Sequence, residues 1–292
     1  MEEGKFYNWL AQLNKEYPYK VDRLRMRLGL LNSQEWSKVN KTFIVSTGRT
    51  GTKFFARFLN KLDNVYAKHE PKPDFLNLAI DYVRNRVKER KVINTIEKNR
   101  RALAKDVKRK EAEFYVESNN RFFSLLDFLD DIFNNFKIVH IIRDGRDYVR
   151  SGMGRIWYTK EDTDPRMKAS YFPNDPYYDK WDEMSRFEKI CWRWQKKDGF
   201  ILDSIEDMSN VITVKFADIF KDKKHSGLYQ ICDYIGLDKS EVRKIVKEMM
   251  NRKVNSTKEY AISKWTEWDI RKKRQFDEIA GDHMENYYDY EW

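Results

Sequence analysis

Phe6, Leu10 and Leu13, then Leu24, Leu28 and Leu31, recur at intervals of three or four, the spacing that gathers side chains on one face of a helix. Two amphipathic helices are therefore expected within residues 1–40. The pattern changes at Thr42 to Val45, a short β-branched and aromatic run that stops at Ser46. A glycine-bearing turn then leads into helical spacing from about Thr52. Val65 to Lys68, Phe114 to Glu117, Lys137 to Ile142 and Val211 to Lys215 read as four further strands with helical periodicity between them. Strands alternating with helices predict an α/β fold around a mainly parallel sheet covered on both faces.

The connections carry their own signals. Pro71 and Pro73 are expected to hold the chain extended before a helix from about Phe75, which leaves Glu70 at a strand's carboxyl end. Residues 84–110 are basic, with Ile96, Leu103 and Val107 as an apolar stripe, and read as a surface helix whose charges face solvent. Residues 157–181, rich in Tyr, Pro, Asp and Asn, show no regular period and are expected to form a long ordered loop, a common form of lid or binding wall. From Ser263 the chain is helical and aromatic, with Trp265, Trp268, Phe276 and Ile279 expected to pack inward. The whole, 1–292, is read as one domain: helices to residue 40, a core over 41–237 and a helical segment over 238–292.

Composition refines this picture. The 41% hydrophobic and 15% aromatic content supports a sizeable core, and 36% charged residues imply a heavily solvated surface. A net charge of +10 suits a polyanionic ligand but names none. A basic nucleic-acid-binding protein using residues 84–110 stays as an alternative, resting on charge alone. Cys191 and Cys232 are too few for a disulfide framework and read as reduced. Met1 to Asn14 has no continuous apolar run, so no signal peptide or transmembrane segment is expected and the cytoplasm is the expected compartment. The histidines at 69, 140, 225 and 283 form no metal-ligand spacing, and no metal is expected.

Ser46-Thr47-Gly48-Arg49-Thr50-Gly51-Thr52-Lys53 lies where a parallel sheet places ligands, between a strand's carboxyl end and a helix amino terminus. Free amides and the helix dipole favour an anion there. Thr50 and Thr52 offer hydroxyls, Arg49 and Lys53 positive charge, and Gly51 close backbone approach. A P-loop nucleotide kinase or phosphohydrolase is the alternative enzyme, but its Gly-x-x-x-x-Gly-Lys-Ser/Thr spacing is absent, since Lys53 follows Thr52 and Phe54 takes the hydroxyl's place. A second motif follows the fourth strand: Arg143 stands at its end and Ser151 eight residues later, so that both can converge on one phosphate. A salt bridge from Arg143 to Asp147 is the structural alternative.

With these two motifs in this order the sequence resembles the sulfotransferase family. Arg49-Thr50-Gly51-Thr52 matches the family's first signature, Arg143 with Ser151 its second, and Val211 to Ile219 with Ile231 to Leu237 looks like the strand and helix that follow. Asn251 to Ser256 followed by Trp265 looks like a carboxyl-terminal donor-covering segment of bacterial members. The resemblance implies a three-layer, P-loop-like fold, 3′-phosphoadenosine 5′-phosphosulfate (PAPS) as donor and 3′-phosphoadenosine 5′-phosphate (PAP) as product. It implies that the first loop holds the 5′-phosphosulfate and that Arg143 and Ser151 hold the 3′-phosphate. Lys53 departs from the small hydroxyl residue usual at its position. An acceptor hydroxyl needs a base. Glu70 is preferred, since members acting on carbohydrates or protein tyrosines place a glutamate comparably, and His69 is the alternative, as in members that use histidine. Neighbours on an extended segment point apart, so only one of the two is expected to face the donor. Arg49 or Lys53 would stabilise the leaving phosphate. The acceptor is expected to be a carbohydrate, with a phenol or lipid as alternatives. Glu117-Ser118-Asn119 could line its pocket or be buried beside the sheet, and Trp157, Tyr158, Tyr171, Tyr177, Tyr178, Trp192 and Trp194 could stack on it or fill the core.

Overall fold

The structure, a computed structural model, describes residues 36, 38–250, 260–288 and 290–292. Strand β1 (Asn40–Val45) is buried from Lys41 onward, with Phe43 and Val45 in one apolar cluster and Ile44 in another. Consecutive strand residues face opposite sides, so a strand apolar at successive positions needs cover on both. β4 (Phe136–Ile142) repeats this, sending Phe136 and Ile138 to the first cluster and Val139 and Ile141 to the second. With β2 (Val65–His69), β3 (Phe114–Ser118) and β5 (Val211–Lys215) these strands form a parallel sheet in the order β2-β3-β1-β4-β5. The expected runs thus form one sheet, each within a residue or two of its observed ends.

One face is covered by α1 (Thr52–Leu59), α7 (Ser226–Ile235) and α8 (Lys239–Met250), the other by α2 (Leu76–Val83), α3 (Glu89–Arg109) and α5 (Arg186–Ile205). Phe55 and Phe58 of α1 are completely buried, each contributing on the order of 1.5–3 kcal/mol. α5 starts with a capping box, Ser185 and Glu188 each satisfying the other's amide, and this fixes where this 20-residue helix begins. α6 (Phe216–Phe220) closes over the carboxyl edge of the sheet. A third cluster joins α4 (Gly145–Met153) and α5 to α9 (Ile270–Tyr287) through Tyr148, Trp194 and Phe276. At that joint Asp198 accepts from the Tyr288 hydroxyl at 2.7 Å, lies 2.9 Å from His283 Nε2 and 3.6 Å from His140 Nε2. Trp268 and Phe276 pack inward as expected, while Trp265 and Ile279 are half-buried.

Two expectations are corrected. The chain after β2 is not extended: Glu70 and Phe75 have φ of 43° and 66°, and the Lys72–Pro73 bond is cis. Nor do all charges of residues 84–110 face solvent. Arg100, one turn beyond Ile96 on the same stripe, is completely buried and clamps Glu117 through Nε and Nη2 at 2.8 and 2.7 Å. Glu117 also accepts from the Tyr115 hydroxyl at 2.6 Å and Asn119 Nδ2 at 2.8 Å, so this triplet is buried beside the sheet. The two helices read into residues 1–40 and the Asn251 to Ser256 segment lie outside the described residues.

Candidate active site

Where β1 ends, the chain folds back on itself. Ser46 Oγ lies 2.7 Å from Thr50 Oγ1 and accepts the Gly48 amide at 3.1 Å. Gly48, Arg49 and Gly51 have φ of 100°, 62° and 76°, turning the loop into a concave run of amides of the kind that holds anions. Gly51 is also the N-cap of α1, which no side chain caps, so the positive end of the helix dipole faces the same point. A Cβ at Gly51 would lie 2.6 Å from the Phe220 ring, so close packing of α6 on the loop demands glycine.

Left-handed backbone at a non-glycine costs of order 1–3 kcal/mol and persists where neighbours fix it. At Arg49 they do. Its Nε donates to Ser151 Oγ at 2.9 Å, and its carbonyl accepts from the Arg143 guanidinium. The loop and the second motif, 102 residues apart at this contact, are thus joined directly. Arg143 lies over the Phe216 ring at 4.6 Å, and its Nε is buried without a partner. Asp147 bonds Lys221 at 2.8 Å instead of Arg143. Burial, then the nearby Arg155 and Arg143, lower the Arg49 pKa, and burial lowers that of Arg143, but guanidinium groups keep their charge. The loop is therefore crowded with cations.

These residues line a cleft of about 820 Å³. Arg49, Gly51, Thr52, Lys53, His69, Glu70, Arg143 and Ser151 all face it. The Thr50 side chain does not, since it is fully buried beneath the loop with its hydroxyl engaged by Ser46. The left-handed Glu70 breaks the strand's alternation, so both it and His69 line the cleft, contrary to the expectation for an extended pair. Glu70 Oε1 accepts from Asn120 Nδ2 at 2.6 Å, and Oε2 lies 3.6 Å from Arg121 and 4.0 Å from His69 Nε2. His69 Nδ1 lies 3.3 Å from the Ser118 carbonyl. Burial pulls the His69 pKa below its ordinary value against the opposing pull of Glu70.

Sequence reasoning missed the supports. Lys197 of α5, almost fully buried, donates to the Thr47 carbonyl at 3.0 Å and the Asn120 carbonyl at 2.9 Å, tying the loop to the residue that holds Glu70. Burial, then Arg193 and Arg121, press its pKa well below that of a free lysine. The signal was its place between Trp194 and Ile201 on an apolar stripe. Of the aromatic candidates Trp157 lines the cleft, whereas Trp192 and Trp194 are core at 1% and 0% exposure. Tyr158 and Tyr177 bond backbone carbonyls through their hydroxyls.

The sulfotransferase family model matches residues 42–241, spanning the sheet and both motifs. The chain belongs to the sulfotransferase family. Comparison with curated proteins finds no match. Among solved structures the sulfotransferase resembles STF9 from Mycobacterium avium at 10% identity and TM-score 0.53, over 97% of this chain and 82% of that one. It also resembles STF1 from Mycobacterium tuberculosis H37Rv at 13% identity and TM-score 0.50, over 92% and 81%. A mouse sulfotransferase, SULT7A1 complexed with PAP, aligns at 13% identity and TM-score 0.47, over 85% of each chain. At these identities the likeness is one of fold. The family uses PAPS as sulfuryl donor, and the residues here fit its phosphates: a concave amide loop, a helix amino terminus and the unpartnered Arg143 Nε face one cleft.

Proposed function

We propose that this sulfotransferase sulfates a hydroxyl of a carbohydrate, with Glu70 as the base. The observation that carries the reading is the placement of Glu70 in the same cleft as the anion-binding loop, its carboxylate aimed by Asn120 at 2.6 Å. When bound, the donor supplies the sulfuryl group and leaves as PAP. Glu70 takes the proton of the attacking hydroxyl, so that the new oxygen–sulfur bond forms as the sulfur–oxygen bond to the phosphate breaks. Arg49, the loop amides and Lys53 hold the phosphate oxygen on which negative charge collects, a kind of contribution that reaches about 3–4 kcal/mol. Arg143 and Ser151 take the 3′-phosphate. His69, its pKa lowered by burial, is the second candidate for the proton. Trp157 lines the cleft, and an indole beside the donor site suits a sugar ring better than a lipid chain.

No described helix is long and apolar enough to cross a membrane, and a cytoplasmic location, suggested by two buried free cysteines, belongs to this proposal. Calorimetry tests the donor assignment. PAP should bind at least about a hundredfold more tightly than ADP, because two charge-assisted contacts to the 3′-phosphate contribute roughly 1.5–3 kcal/mol each. Equal affinities would remove Arg143 and Ser151 from the site.

A further inference from the structure

The cleft holds more positive charge than the loop and the second motif account for. Arg193, in α5, is 6% exposed and faces the cleft. It donates to the Tyr148 hydroxyl and lies over the Trp157 ring at 4.3 Å, and no carboxylate among the described residues forms an ion pair with it. Arg121 has a buried Nε with no partner, and its ion pair with Glu70 is a long one at 3.6 Å through Oε2, while Asn120 bonds Oε1. Lys197, one turn along α5 from Arg193, offers no compensation, and the two cations press on each other. Arg166 is neutralised by Asp162 at 2.7 Å and Asp164 at 3.0 Å. Arg121, Arg166, Arg193 and Lys197 also line a narrow recess that contains no residue of either donor motif.

Withdrawing guanidinium groups from water without a counter-charge is costly, and natural sites that keep them so do it where an anion completes the arrangement. The planar fork of arginine matches carboxylate and sulfate oxygens in pairs. We propose that Arg121 and Arg193 form an acceptor subsite for an anion. The acceptor is then a hydroxyl compound that also bears a carboxylate or a sulfate ester, such as an acidic sugar, held with its ring against Trp157. This rests on the sulfotransferase reading of the cleft and narrows its acceptor class.

The test is calorimetric binding to the PAP-loaded enzyme of three compounds with one aglycone: p-nitrophenyl β-glucuronide, the 6-sulfate of p-nitrophenyl N-acetyl-β-glucosaminide, and neutral p-nitrophenyl β-glucoside. At least one charged compound should bind about tenfold or more tightly than the neutral one, with an advantage that shrinks as salt rises. Which of the two binds better separates carboxylate from sulfate recognition. Arg193→Met should abolish the preference while PAP affinity stays within about twofold. Because Arg193 is buried, Arg121→Gln serves as a second variant with the same expected loss, and the wild-type comparison stands without either. Equal binding of charged and neutral compounds, or no binding of either charged one, overturns the subsite. PAP binding with sulfuryl transfer to neutral sugars would leave the sulfotransferase reading standing in that case, whereas failure of PAP to bind overturns both.

Discussion

At the scale of single residues the sharpest expectation concerns Glu70. Glu70→Gln keeps the shape and the Asn120 contact but cannot accept a proton, so turnover should fall by at least about a hundredfold while PAP affinity stays nearly constant. His69→Ala should cost less. Steady-state kinetics and PAP titration of both variants check the assignment, and near-normal turnover in the glutamine variant with an inactive His69 variant would reverse the roles. Gly51 makes an independent case. Alanine there must accept a φ of 76° and a Cβ 2.6 Å from Phe220, which should destabilise the fold by about 1–3 kcal/mol and weaken PAP binding together. Denaturant titration alongside PAP binding reads both effects, and an unchanged midpoint would show that α6 does not press on the loop as described.

Among the elements, α3 binds the sheet through charge as well as apolar packing. Its Arg100 reaches the fully buried Glu117 of β3, so Glu117→Gln or Arg100→Met should each destabilise by about 3–5 kcal/mol, the cost of a stranded buried charge. Replacing both with apolar residues of similar volume should recover most of that loss. Chemical denaturation of the single and double variants measures it, and additive losses would contradict a direct pair. The same element shows how far sequence could be read. The strands were readable because β1 and β4 are apolar at successive positions, and the loop because its glycines, threonines and basic residues are contiguous. Arg100 and Lys197 were hidden because each is charged yet sits at stripe spacing, between Ile96 and Val107 or between Trp194 and Ile201, where a pattern of polar and apolar letters reads an interruption. Glu70 and His69 came out on one side because a single left-handed residue cancels strand alternation, and nothing in a glutamate before a proline announces that.

For the molecule as a whole, acid should act through the joint of α5, α9 and β4. Burial alone would raise the Asp198 pKa, but the His140 and His283 imidazoles that face it, His283 within hydrogen-bond distance, outweigh it and hold the carboxyl below its ordinary value. A folded pKa below the unfolded one of about 3.9 means that this stabilisation is complete above that pH and is lost as pH falls below it. Melting temperature should therefore drop on acidification below about pH 4, and Asp198→Asn should flatten that part of the profile. A variant with an unaltered profile would exclude Asp198 as the group responsible. The strand order also has a metrical consequence. The loop hangs from β1 and Glu70 from the end of β2, with β3 between them, and strands spaced about 4.8 Å apart set these two attachment points roughly 10 Å apart. That interval is fixed by backbone hydrogen bonds and cannot drift with side chains, so the sheet works as a ruler between the anion-binding loop and the Glu70 carboxylate.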